Sequence, residues 1–319
     1  MTIASVPQVR PRALAAGLAS FVPGASRFTN RGSGGTESAR YCYSVWLRHL
    51  VRAHQSRLPT DPTCVAELGP GDSLGIGLAA VLCGADRYLA LDVKAHANAA
   101  RNVKVFDELV QLFHQRAPIP DDNEWPLTQP KLSEYAFPSR ILTPERLAAC
   151  LADRRVDQIR RAILGEVGPV SLSYRAPWTD DSTIEPASVD FLVSQAVLEH
   201  VEDLETTYAA MRTWMKPGAS MSHSVDFSCH GLTRAWNGHW MLGDFTWRAV
   251  RGTRRYLINR QPLSTHLDLL RRYEFEPVHI DRRREDAGVG FRPAERFRGL
   301  SAEDAATRGA FIQATLSSV

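Results

Sequence analysis

Short apolar runs alternate with segments of helical periodicity along most of the chain, which is the pattern of an α/β protein. The apolar runs predict strands at 65–68, 88–91, 169–174, from 189 onward, and at 219–227. Helical periodicity predicts helices at 36–53, 144–164 and 204–215, with a further helix and a late strand between 264 and 276. We therefore expect an α/β sheet with helices between its strands.

The first two strands enclose a glycine turn. Gly69 and Gly71 permit a sharp turn without a Cβ clash, and the helix after them presents its N-terminus to a ligand above the turn. Asp92 ends the second strand about twenty residues later, where a carboxylate can accept hydrogen bonds from ribose hydroxyls. These residues predict a site for an adenosine-containing ligand.

The turn departs from the dinucleotide-binding pattern in two ways. Glu67 precedes it, and no third glycine follows where a pyrophosphate would pack closely. A carboxylate repels pyrophosphate and attracts an ammonium group. The segment resembles motif I of the class I S-adenosylmethionine (SAM) dependent methyltransferases. The resemblance implies SAM as the cofactor, with Glu67 facing its methionyl part and Asp92 its ribose.

Two further segments carry the same resemblance. Residues 189–201 (VDFLVSQAVLEHV) resemble the family's fourth strand and the turn after it, and residues 216–218 (KPG) resemble the turn before its fifth strand. The resemblance implies a doubly wound, Rossmann-like, seven-stranded methyltransferase sheet. It implies cofactor binding by Glu67, Gly69, Gly71, Ser73, Asp92, Trp178, Ser194 and Gln195. Trp178 would stack on adenine, and a tryptophan packed in the core is an equal alternative.

Length and composition fit one elaborated domain. The chain has 319 residues and is 44% hydrophobic, which is enough to bury a sizeable core. We predict an N-terminal extension over 1–36 and a methyltransferase domain over 37–319. More than seventy residues separate Asp92 from the next predicted strand, so we predict that residues 95–165 are an inserted helical lid.

Charge, cysteines and hydropathy limit the partners and the location. The net charge of +3 is too small to indicate a nucleic-acid partner. Arginines cluster at 248–260 and 282–284, either as a solvated basic face or as a site for an anionic acceptor group. The five cysteines form no C-x-x-C pair, which indicates a reducing compartment, and no apolar run has membrane-spanning length. We expect a cytoplasmic protein, with the inner membrane surface as an alternative location.

Candidate catalytic residues concentrate after the fifth strand. A hydroxyl acceptor needs a general base, and Asp226 and His230 lie at the strand end and in the loop beyond it, followed by His239. Each histidine taken singly can also be structural. His200 is interpreted as scaffolding beside the cofactor. No metal is predicted, because Asp226, His230, His239 and Asp244 match no metal-ligand spacing.

These observations predict a methyltransferase that acts on an oxygen of a small polar acceptor with a His/Asp general base. A weaker resemblance of the region 236–275 to bacterial enzymes that modify saccharides suggests a saccharide or glycan precursor as the acceptor. The alternatives are an N- or C-methyltransferase of a small natural product, a SAM-binding protein without turnover, and a dinucleotide-dependent oxidoreductase. Residues 194–197 (SQAV) do not resemble the motif of amino-methylating nucleic-acid enzymes, which argues against a nucleic-acid substrate.

Overall fold

The computed structural model describes residues 9–22, 34–178, 180–288 and 291–318. Its strands are β1 (Cys64–Leu68), β2 (Arg87–Leu91), β3 (Ser171–Arg175), β4 (Val189–Gln195), β5 (Met215–Asp226), β6 (Phe275–Arg284) and β7 (Thr307–Leu316). Its helices are α1 (Pro11–Ala19), α2 (Ala39–Gln55), α3 (Gly75–Leu82), α4 (Ala99–His114), α5 (Pro144–Cys150), α6 (Asp153–Ile163), α7 (Leu204–Trp214), α8 (Asp244–Arg251), α9 (Leu263–Arg272) and α10 (Ala302–Ala305).

The seven strands form one sheet in the order β3-β2-β1-β4-β5-β7-β6. Strands β1 to β5 are parallel, and β7 runs antiparallel between β5 and β6. One apolar cluster packs α2, α3 and α4 on one face, and a second packs α7 and α9 on the other. Alternation along β1 sends Val65 into the first cluster and Ala66 into the second. The prediction of a doubly wound, Rossmann-like seven-stranded α/β sheet is confirmed.

Several predicted elements differ from the structure in their bounds. The helix predicted over 144–164 is two helices, α5 and α6, which are separated by Leu151 and Ala152. The fifth strand begins at Met215 rather than at 219, and β6 extends to Arg284. Strand β7, which the apolar pattern did not locate, completes the sheet between β5 and β6.

The predicted lid insertion is packed into the domain over much of its length. Helix α4 contributes to the same apolar cluster as α2 and α3. Arg48 of α2 is fully buried, and its guanidinium donates to the carbonyl oxygens of Pro120, Thr128 and Pro130 at 2.8–3.1 Å. These bonds fix the loop after α4 to α2. Whether any part of 95–165 closes over a substrate stays a prediction.

The N-terminal helix lies on the domain. Helix α1 packs against α8, with Gly17 so close to the backbone of Val250 that a Cβ would lie 2.1–2.4 Å from carbonyl oxygens of α8. The backbone amide of Arg10 donates to the carbonyl of Leu232 at 2.9 Å. The extension predicted over 1–36 lies only partly within the described residues. Across the described ranges, no helix combines the length and the apolar character needed to span a membrane.

Candidate functional site

A cleft of about 580 Å³ opens at the carboxyl ends of β1, β2 and β4. It lies where the strand order reverses between β1 and β4, which is the usual ligand site of an open parallel sheet. The volume is that of a small-molecule or cofactor site. The residues that line it include Gly69, Asp92, Trp178, Val197, His200, Glu202, Arg255 and Tyr256.

The glycine turn is shaped by backbone geometry and by one close contact. Gly69 and Gly71 have φ of +68° and +74°, in the left-handed region that favours glycine. A Cβ on Gly69 would lie 2.5 Å from Cγ2 of Val197, the residue that begins the turn after β4. The amide of Gly69 donates to the carbonyl of Leu91 at 2.8 Å, which ties the turn to β2. The turn therefore needs glycine for its shape and for its packing.

Asp92 is held at the end of β2 by backbone amides. Its Oδ1 accepts from the amides of Val93 and Lys94 at 2.7 and 3.3 Å, and its Oδ2 accepts from Gly71 at 3.3 Å. A carboxylate has about four lone-pair positions, so roughly one acceptor position is left for a ligand in the cleft. This arrangement fits the hydroxyl of a ribose, because the carboxylate is fixed before the ligand arrives.

Trp178 forms part of the wall opposite the glycine turn. Its amide donates to the carbonyl of Asp92 at 3.1 Å, and its ring meets that of Trp214 edge-on, with centroids 5.4 Å apart. The ring is half-buried and also lines the cleft. Trp178 thus packs against the domain and also lines the cleft, and its stacking on adenine stays a prediction.

Four other predicted cofactor residues make their contacts within the domain. Glu67 is buried and accepts a hydrogen bond from the hydroxyl of Tyr88, and burial raises the pKa of Glu67 to about 8. The hydroxyl of Ser73 donates to the carbonyl of Thr36. The hydroxyl of Ser194 lies 2.7 Å from Nδ1 of His223, and Oε1 of Gln195 lies 3.1 Å from Nε2 of His49. None of the four is among the residues that line the cleft.

The structure brings two of the three predicted catalytic residues together. Nε2 of His230 lies 3.7 Å from Oδ2 of Asp226, and about a third of each side chain is exposed. Burial lowers the pKa of His230, and the charge of Asp226 opposes that shift. His239 is buried against the ring of Trp240, and burial lowers its pKa to about 3. His239 is therefore a neutral core residue at physiological pH.

His200 occupies a more central place than the sequence indicated. It lines the cleft and also a second cavity, of about 180 Å³, beside it. Nδ1 of His200 lies 2.6 Å from the carbonyl oxygen of Leu257, which can only accept, so Nδ1 carries the proton. Burial lowers the pKa of His200, and the ring lies edge-on to that of His230 with centroids 5.0 Å apart. In the neutral ring Nε2 is then the basic nitrogen.

Glu199 adds a buried carboxyl group to these histidines. Neither of its carboxyl oxygens has a hydrogen-bond partner among the described residues, and burial raises the pKa of the group to about 8. One ligand atom each from Glu199, His200 and His230 lie within 4.8 Å of one another, so the three could hold a metal ion. Without a metal, the carboxyl is mostly protonated at neutral pH. The expectation of no metal stays a prediction.

The backbone around the cleft is strained at several positions. Eight described residues other than glycine have φ between +47° and +66°, and four of them lie in the loops at this end of the sheet: Ala196, His230, Tyr256 and Arg260. Ala196 follows β4, and the other three lie in the loops beyond β5. Non-glycine residues in this region cost free energy and concentrate at functional sites. Positive φ also occurs at Arg57, Arg116, Ala187 and Glu274, so it does not by itself mark the cleft.

Comparisons with known proteins give matches only among solved structures. No family model and no curated protein matches the chain. A structure from Mesorhizobium loti described as an S-adenosylmethionine dependent methyltransferase is 14% identical, with 83% of this chain and 96% of that chain covered and a TM-score of 0.40. The chain is similar to SAM-dependent methyltransferases.

The other matches cover different chemistries. The CurJ carbon methyltransferase is 15% identical, with 86% of this chain and 54% of that chain covered and a TM-score of 0.37. Phosphoethanolamine N-methyltransferase 2 of Haemonchus contortus, in complex with S-adenosyl-L-methionine, is 10% identical, with coverages of 87% and 56% and a TM-score of 0.42. Structural likeness at this level carries no argument about the acceptor, and these descriptions lend no support to the saccharide resemblance. The fold assignment rests on the strand order.

Proposed function

We propose that the protein is a SAM-dependent methyltransferase that methylates an oxygen of a small polar acceptor, with saccharides and glycan precursors as the first acceptor class to test. The observation that carries this proposal is the cleft at the carboxyl ends of β1, β2 and β4, with Asp92 fixed at its edge and a second cavity adjoining it at His200. One cavity suits the cofactor and the other the acceptor, and His200 lies where they meet.

The residues of the cleft fit SAM. Asp92 retains an acceptor position for a ribose hydroxyl, and Trp178 offers an aromatic side chain in the lining of the same cleft. SAM supplies an electrophilic methyl group on a sulfonium, so the protein has to align the acceptor with it and exclude water. Four predicted cofactor residues would not contact SAM directly but would hold the cleft residues in place through contacts within the domain: Glu67, Ser73, Ser194 and Gln195.

The proton of an acceptor hydroxyl would go to the histidine group beside the cleft. Nε2 of His200 is the basic nitrogen, because Nδ1 donates to Leu257, and the side chain lines both cavities. His230 and Asp226, the base pair predicted from the sequence, lie next to this ring. We assign the proton-accepting role to His200, with the His230 and Asp226 pair stabilising it.

Binding and turnover should be measured on the same preparation. Calorimetric titration with SAM, S-adenosylhomocysteine and NAD is expected to show binding of the two sulfur compounds and none of NAD. Transfer of a labelled methyl group to a panel of saccharides, small alcohols and amines then identifies the acceptor. Binding without transfer to any acceptor would favour a SAM-binding protein without turnover, and binding of NAD alone would refute the proposal.

Two histidine variants test the base. His200→Gln should lower turnover about a hundredfold, as is usual for loss of a general base, and leave the affinity for S-adenosylhomocysteine within about threefold. His230→Gln should lower turnover less, since it acts through its neighbour. His54→Gln, an exposed histidine of α2, is the matched control and should have no effect. A larger loss in His230→Gln than in His200→Gln would return the base to His230 and Asp226.

A further inference from the structure

The second cavity carries an excess of positive charge. Three arginines and one glutamate line it, a net charge of plus two with His200 neutral: Arg251, Arg260, Arg296 and Glu202. Glu202 pairs with Arg251, so that charge is balanced inside the protein. Arg260 and Arg296 form no ion pair with a carboxylate of the described residues. Arg296 is exposed, so water solvates its charge, whereas the charge of Arg260 is buried without a carboxylate partner.

Arg260 is the stronger of the two candidates for binding an anion. It is 4% exposed, and its guanidinium lies between the rings of Trp247 and Phe297, at 4.6 and 4.5 Å from their centroids. One donor reaches the carbonyl of Leu242 at 2.6 Å, and the buried Nε has no partner. Burial lowers the pKa of Arg260 to about 10, and the adjacent charge of Arg296 adds to this shift while Asp244 opposes it. The group nevertheless remains charged at neutral pH.

A buried cation without a counter-ion is costly and is usually paired or reserved for a ligand. Here the aromatic rings hold the guanidinium plane in place, and its fork of donors matches the oxygens of a phosphate or carboxylate. Two unbalanced positive charges correspond to the near-dianionic charge of a phosphate monoester at pH 7. The charge balance therefore favours phosphate over a single carboxylate.

Most of the other arginines that clustered in the sequence have partners within the protein, and Arg248 is exposed and does not line the cavity. Arg254 donates to the carbonyl of Val250. Arg282 and Arg284 of β6 pair with Glu303, and Arg283 pairs with Asp226. Among the clustered arginines, Arg260 is therefore the buried candidate for binding an anion. Arg296, which the sequence analysis did not single out, lines the same cavity.

We propose that this cavity binds a phosphate group of the methyl acceptor through Arg260 and Arg296. The inference rests on the proposed function, because it orients an acceptor toward the cofactor cleft. His200 and Glu202 line both cavities, so an acceptor held by its phosphate would place a neighbouring hydroxyl beside His200. The acceptor class is then a small phosphorylated hydroxy compound, such as a sugar phosphate.

The test is a calorimetric titration of the full chain with inorganic phosphate, with and without saturating S-adenosylhomocysteine. Wild-type protein should bind phosphate, and Arg296→Gln should weaken that binding about tenfold, as for loss of one charge-assisted hydrogen bond. Arg298→Gln is the matched control, since Arg298 is exposed, pairs with Glu295 and does not line the cavity. Arg260→Gln, if it folds by circular dichroism, should abolish phosphate binding.

Each contrary result has a distinct meaning. No phosphate binding to the wild type, or equal loss in Arg296→Gln and Arg298→Gln, overturns the inference. Binding of malonate without binding of phosphate assigns the cavity to a carboxylate instead. Loss of S-adenosylhomocysteine binding in Arg296→Gln would mean that the cavity serves the cofactor, which also overturns it. If the wild type binds phosphate but neither sulfur compound, the proposed function fails while the anion site stands.

Discussion

The proposed hydrogen bond between Asp92 and the ribose of SAM is the most direct consequence of the cleft geometry, and Asp92→Ala tests it. Two of the backbone amides that Asp92 accepts from belong to Val93 and Lys94, and the third belongs to Gly71 of the glycine turn. The variant loses the acceptor position that faces the ligand and also frees the turn. We expect weaker binding of SAM and of S-adenosylhomocysteine to the same extent, because both carry the same ribose.

The expected loss of affinity follows from the type of hydrogen bond that Asp92→Ala removes. A hydrogen bond to a charged group contributes about 1.5–3 kcal/mol, and each 1.4 kcal/mol is a factor of ten, so affinity should fall roughly 10- to 150-fold. Water can reach the freed amides through the cleft, which limits the loss of folding stability to about 1 kcal/mol. The effect on binding should therefore exceed the effect on stability.

Calorimetric titration with S-adenosylhomocysteine measures the affinity, and urea unfolding measures the stability. Asp86→Ala is the matched control: Asp86 directly precedes β2 at its opposite end and pairs with Arg155 at 3.0 Å. It should leave the affinity unchanged. An affinity of Asp92→Ala within threefold of the wild type would refute the placement of the ribose at the end of β2.

Three further predictions concern stability, each measured by urea unfolding. Gly69→Ala should cost about 2–5 kcal/mol, from the positive φ and the clash with Val197, and adding Val197→Ala should restore only the part due to the clash. Arg48→Met should cost about 3–5 kcal/mol, since several buried carbonyl groups lose their donor. The third prediction concerns pH, because burial lowers the pKa of His223 to about 3 and raises that of Glu67 to about 8. Compared with the folded protein, the unfolded chain binds more protons at His223 below pH 6.5 and fewer protons at Glu67 above pH 4.5. Glu199, whose pKa burial also raises to about 8, and His49, His239 and His266, whose pKa values burial lowers to between about 3 and 4, add to these two effects. Stability should therefore fall as the pH drops below 6.5 and again as it rises from 6.5 to 8. Glu67→Gln should remove about half of the decline above pH 6.5, and a decline as steep as that of the wild type would contradict the assignment.

The parts of the site that lie within a short segment could be predicted from the sequence. The glycine turn and Asp92 belong to one strand, turn and strand unit, so their spacing alone brings them to the same edge of the sheet. The positions of Ser194 and Gln195 could not be predicted in the same way. Ser194 pairs in register with His223 of β5, and that register, set by the packed sheet, turns its hydroxyl toward the imidazole.

The position of His200 between the two cavities could not be predicted from the sequence either. His200 follows β4 and His230 follows β5, and only the pairing of these two strands brings the rings into contact thirty residues apart in the chain. The bond that fixes the proton on Nδ1 of His200 comes from Leu257, in a loop that the sequence showed only as aromatic and basic. A motif search would therefore place His200 beside the cofactor without showing that it borders a second cavity.

The distribution of charge around Glu202 would allow the two neighbouring cavities to bind the different ligands that we propose for them. Glu202 pairs with Arg251, which lines the second cavity, and lies 3.7 Å from Arg255, which lines the cofactor cleft. It therefore offsets positive charge at the boundary, while the buried Arg260 and the exposed Arg296 have no carboxylate partner among the described residues. An anionic group entering from the cleft is drawn past His200 rather than held in front of it. The uncharged part of the acceptor then remains at the boundary, which is where methyl transfer requires it.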